Sequence, residues 1–87
     1  MLTGDQIRAA RRLAGIPTQS DLAKLAGVGR ATVERAEQSG ASLPAMGVDA
    51  MAKIVGALEG AGVVFDLPAG ASLAGGLGMR LANRKPV

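Results

Sequence analysis

The chain has no cysteine, histidine, tryptophan or tyrosine, and Phe65 is its one aromatic residue. Without cysteine there is no disulfide framework and no thiolate metal site. Without histidine the commonest metal ligand and the commonest general base are both missing. No serine has a histidine to activate it, and Asp5, Asp21, Asp49, Glu59 and Asp66 are scattered along the chain. The expectation is a non-enzyme with no catalytic residue, no metal and no cofactor. A single aromatic ring cannot stack successive bases, which argues against a single-strand nucleic-acid binder. No apolar run approaches the roughly 18 residues of a membrane span. The opening Met-Leu-Thr-Gly-Asp lacks the basic-then-apolar order of a signal peptide, so a cytoplasmic protein with no membrane partner is expected.

Eighty-seven residues suit one small domain, whose core needs reinforcement. With disulfides and metal excluded, oligomerisation is the remaining natural means. The net charge is +3 and the pI about 10.2, which permits an anionic partner without requiring one. Gly70 to Gly78 is glycine-rich, but no Gly-Lys-Ser/Thr and no helix follow it. It does not read as a phosphate-binding loop.

Four helices and two strands can be read in order. Thr3 and Gln6 have capping-box spacing and start a helix over about 4–14. Ile7, Ala10, Leu13 and Ala14 form its expected buried stripe, with Arg8, Arg11 and Arg12 off it. Gly15 and Pro17 end it. Thr18, with Asp21 three residues on, caps a second helix over 19–26. Gly27 suits the left-handed residue beyond that helix, and Gly29 occupies the N-cap of a third, 30–38. Gly40, Pro44 and Gly47 mark a loop. A fourth helix, 48–60, buries Val48, Met51, Ile54, Val55 and Leu58. Val63 to Leu67, between Gly62 and Pro68, reads as a strand, and Gly78 to Ala82 as a weaker one. The fold class is therefore mainly α: a four-helix domain over 1–61, a strand pair over 62–82 and a tail over 83–87. A lone two-stranded ribbon is marginal in water. It either packs on the helices or joins a second copy, and the edge-strand problem favours the second. Val63, Val64, Phe65, Leu67, Met79 and Leu81 would then form a dimer interface between subunits.

Residues 18–38 are the functional centre of this arrangement. Two short helices meet at a glycine turn, as in a helix-turn-helix, whose second helix lies in the DNA major groove. Val33 and Ala36 point inward on that helix, while Arg30, Ala31, Thr32 and Arg35 point out. Arginine suits the paired acceptors of guanine, and alanine or a threonine methyl suits the thymine methyl. These four are the expected base readers. Thr18, Gln19, Gln38, Ser39 and Ser42 are the expected backbone contacts.

Residues 3–60 resemble the Cro and phage-repressor family of helix-turn-helix regulators, the xenobiotic-response-element-like group. The resemblance is carried by Ile7-Arg8-x-x-Arg11-Arg12-x-x-Gly15, by Thr18-Gln19-x-x-Leu22-Ala23-x-x-Ala26-Gly27-Val28 and by Arg30-Ala31-Thr32-Val33-x-x-x-Glu37. It implies a phosphate-binding and buttressing Gln19, DNA contacts from Arg30, Ala31, Thr32 and Arg35, and an Arg12–Glu37 salt bridge between the first and third helices. Gly29 departs from the family's usual serine or threonine, the loop after the third helix lacks basic residues, and strands replace a fifth helix. The strand pair is similar to that of dimeric DNA-binding antitoxins. The implied function is a homodimeric, sequence-specific regulator on a palindromic double-stranded DNA operator, nucleoid-associated in the cytoplasm. The alternative is an antitoxin-like or regulator-binding interaction module that autoregulates through the same unit.

Overall fold

The computed structural model describes residues 2–66 and 78–81. Leu67, the loop from Pro68, Ala82 and the 83–87 tail lie outside the described residues. The chain forms α1 (Gly4–Leu13), α2 (Gln19–Ala26), α3 (Arg30–Gln38), α4 (Val48–Gly60), β1 (Val63–Asp66) and β2 (Gly78–Leu81). It is a small, mainly helical domain with a short antiparallel strand pair.

The local signals act as the residues dictate. At α1, Thr3 Oγ1 accepts from the Gln6 backbone N–H at 3.2 Å, and Gln6 Oε1 accepts from the Thr3 N–H at 2.9 Å. Each satisfies a donor that the first turn would otherwise leave orphaned. Thr18 caps α2 in the same way, accepting from the Asp21 N–H at 3.0 Å. Gly27 ends α2 at φ +73°. In that conformation its N–H returns to the Ala23 carbonyl at 2.9 Å and the Val28 N–H to the same oxygen at 3.0 Å. The chain thus reverses within three residues and starts α3 from Gly29, whose cap has no side-chain hydrogen bond.

The core lies where α2 packs on α3 and α4, and α1 packs on α3. Ile7, Leu22, Val33, Ile54 and Leu58 are fully buried in it. Leu2 and Ile16 also enter the core, although neither belongs to a helical stripe. Two expected core residues do not. Leu13 is 36% exposed and Val48 77% exposed. At about 100° per residue, Leu13 lies roughly 120° around α1 from Ile7. Val48 opens α4 about a quarter turn off the Met51–Ile54–Leu58 line.

The strands pair within the chain, with Val63 opposite Leu81 and Phe65 opposite Met79 in the register. The ribbon sits on its own helices, β1 beside α4 and β2 beside α1. Val63 is 2% exposed, and Phe65 packs against the same core. Of the expected dimer residues, Val63 is therefore corrected to a core residue of its own chain. Burying a β-branched side chain here stabilises the ribbon that would be marginal alone.

The N-terminus of α1 abuts the C-terminus of α3. The Asp5 N–H donates to the Gly40 carbonyl at 2.9 Å and the Gly4 N–H to the Ser42 carbonyl at 3.3 Å. Backbone donors of one helix thus meet the carbonyls just beyond another, a favourable alignment of helix ends. Only glycine fits at position 4. A Cβ there would lie 2.5 Å from the Ala36 carbonyl oxygen and 2.6 Å from that of Glu37. Gly4→Ala is expected to lower stability by about 1–3 kcal/mol through this overpacking. Gly56 lies in the interior of α4 with open space around it. Gly56→Ala is expected to raise stability by about 0.5–1 kcal/mol, because alanine is the better helix residue. Urea unfolding of the two variants checks the opposite signs.

Candidate functional site

The α2–turn–α3 unit is held by one buried carboxylate. Glu37, near the end of α3, is 1% exposed. Arg11 from α1 reaches it with both arms, Nε to Oε2 at 2.7 Å and Nη2 to Oε1 at 3.1 Å. Gln19 Nε2, at the first turn of α2, donates to Oε1 at 3.1 Å. Arg8 Nε stands 3.7 Å from the same oxygen. The third nitrogen of Arg11, Nη1, donates to the carbonyls of Ile16 and Pro17 at 3.2 and 3.1 Å. Four of the five guanidinium N–H donors therefore have partners, as a buried charge requires.

This arrangement corrects the expected Arg12–Glu37 bridge. Arg12 is exposed, and Arg11 makes the bond. The helix period gives the reason. Arg11 is four residues after Ile7 and shares its inward stripe, whereas Arg12 is a further 100° around. Spacing from Ile7 was the available signal, and placing Arg11 off the stripe overlooked it.

Burial by itself pushes the Glu37 carboxyl up. The hydrogen bonds from Arg11 and Gln19 and the charges of Arg11 and Arg8 outweigh that, and Glu37 lies below the ordinary carboxylate range. Arg11 is raised in turn, by its hydrogen bond to Glu37 first.

With its inner side locked, α3 presents its outer side. Arg30, Ala31, Arg35 and Gln38 are exposed and Thr32 is half-buried, while Val33, Ala36 and Glu37 are buried. Thr32, Arg35 and Gln38 line an open cleft of about 530 Å³, whose other wall is Pro44, Ala45, Met46 and Gly47 before α4. The four expected readers therefore share one helix, with two arginines on its accessible face.

The five expected backbone contacts divide. Gln38 is exposed and Gln19 half-buried. One amide hydrogen of Gln19 goes to Glu37, and Nε2 carries a second. Ser42 is exposed. Thr18 is fully engaged in capping, since its hydroxyl also donates to Asp21 Oδ2 at 2.9 Å. Ser39 is half-buried, with its hydroxyl facing the carbonyls of Ala36 at 2.8 Å and Ser42 at 2.9 Å. Its single hydrogen serves the loop in this structure, and Ser39 also lines the open cleft. Glu34 is an acid on the outer side of α3 that the reading of the sequence left without a role. Its Oε1 lies 3.8 Å from Arg30 Nη1.

Protein-family models and curated proteins give no match to this chain.

Glu37→Gln leaves Arg11 buried without its counter-ion and is expected to destabilise by about 3–5 kcal/mol. The wild type supplies a second readout. A carboxylate lowered on folding contributes stability that is complete above its unfolded pKa of about 4.3 and is lost as pH falls through the lower folded value. Thermal unfolding from pH 7 down to pH 3 should show this loss. In Glu37→Gln, or in Arg11→Lys if the first does not fold, the acid-dependent loss should be smaller.

Proposed function

We propose that this protein is a helix-turn-helix regulator of the Cro and phage-repressor type that binds double-stranded DNA sequence-specifically as a homodimer. The observation that carries the reading is the two-sided α3. Its inner side is pinned through Glu37 to α1 and α2, and its outer side carries Arg30, Ala31 and Arg35 in the open. A helix that is to enter a major groove needs a fixed back and a chemically apt front. Arg30 and Arg35 would donate to guanine O6 and N7, and Ala31 and Thr32 would meet thymine methyls. Gln19 and Gln38 would hold the sugar–phosphate backbone on either side.

The dimer would form through the strand ribbon. Among the described residues the sheet has two strands, so each keeps one unpaired edge. With Val63 committed to its own core, the contact between copies would use a ribbon edge, with Val64, half-exposed in β1, beside it. Two reader helices would then address half-sites about 10 bp apart.

Selection of bound duplexes from a random pool, with mass determination of the complex, tests this. A two-fold symmetric site holding two chains is expected. An asymmetric site holding one chain would overturn the dimer, and absence of any selected sequence would overturn the function. On the selected site, Arg35→Ala is expected to lose about 1–3 kcal/mol and relax preference at one position. Gln19→Ala is expected to weaken all duplexes alike, and also to cost roughly 1 kcal/mol of stability through its lost bond to Glu37.

A further inference from the structure

Resting on that reading, we infer that Glu34 is a specificity-determining residue that acts by restraining Arg30. Arg30 opens α3 and its side chain is 60% exposed, so it keeps much of its rotamer freedom. The N-cap before it is Gly29, which offers no side-chain oxygen to hold the first turn. A long, free cation at this place would pair with whatever phosphate is nearest, on any sequence. Glu34 stands one turn further on, its side chain 38% exposed, with its carboxylate 3.8 Å from the Arg30 guanidinium. The pair is weak by geometry and exposure. That weakness suits a restraint: strong enough to compete with a single phosphate contact, and too weak to compete with two parallel bonds to guanine.

Nothing else on α3 explains the carboxylate. Glu37, the other acid of the helix, is turned inward and fully partnered. Glu34 instead stands on the side proposed to meet a polyanion, where it opposes binding to every sequence. Discrimination between partners is a difference of affinities, and a group that penalises the wrong complex raises it as surely as one that favours the right one. Glu34 would lower affinity for all DNA and lower it most where Arg30 has only phosphate to bind.

The test compares wild type, Glu34→Gln, Arg30→Ala and the double variant on the selected duplex and on a scrambled duplex, across salt concentrations. Glutamine keeps the size and removes the charge. Glu34→Gln is expected to bind both duplexes more tightly and to reduce the selected-to-scrambled affinity ratio about threefold, the scale of a weak ion pair and its charge repulsion. In the Arg30→Ala background the same substitution should tighten both duplexes equally, leaving the ratio unchanged. An unchanged ratio in Glu34→Gln overturns the inference while the DNA-binding reading stands. A loss confined to the selected duplex also overturns it, because Glu34 would then be reading a base itself. A wild type that binds neither duplex overturns both readings together.

Discussion

Glu37 is the interaction on which the rest of the structure depends. It is a charge carried to the end of a nine-residue helix and buried. A carboxylate in that position is costly unless its lone pairs are met, and here they are met from two other helices at once. Arg11 binds it bidentately and spends its remaining arm on the link between α1 and α2. One cluster therefore sets the position of α1, of the start of α2 and of the end of α3. A small core of alanines and a few branched residues orients helices loosely, while a bidentate ion pair has one geometry.

The second constraint works beside the first. Gly4 lets α1 approach the last carbonyls of α3 more closely than any side chain would allow. Backbone hydrogen bonds to Gly40 and Ser42 then fasten the helix end and the following loop together. The loop owes its shape to this docking and to Ser39, whose hydroxyl closes it from within. It forms the start of the wall facing Arg35 and Gln38 across the open cleft. The accessible side of α3 is thus framed by the loop that follows it.

What α3 offers is rigidity behind and charge in front, and this is what a proposed groove reader requires. The proposal rests on that geometry and on the string from Thr18 to Glu37. The ribbon bears on it indirectly. Its β1 side chain at Val63 belongs to the chain's own core, which leaves strand edges as the means by which two copies would set the distance between their readers.

Local chemistry alone determined most of the element map. The capping box at Thr3, the cap at Thr18, the left-handed glycine at 27 and the breakers at 40, 44 and 47 act within a few residues. α2, α3 and α4 accordingly have the bounds read from the sequence. The outward position of Arg30, Ala31 and Arg35 followed from the helical period in the same way. What the tertiary structure decided were matters of partnership. Arg11 rather than Arg12 meets Glu37, Ser39 serves its loop, and Val63 is claimed by its own helices. The Arg11–Glu37 pair and the burial of Val63 in the helical core join groups far apart in the chain, whereas Ser39 bonds within its own turn, to Ala36 and Ser42. A short sequence window carries the direction of a side chain along its own helix, but not the identity of what waits there. That identity is settled only when a buried charge or a close backbone approach admits a single arrangement.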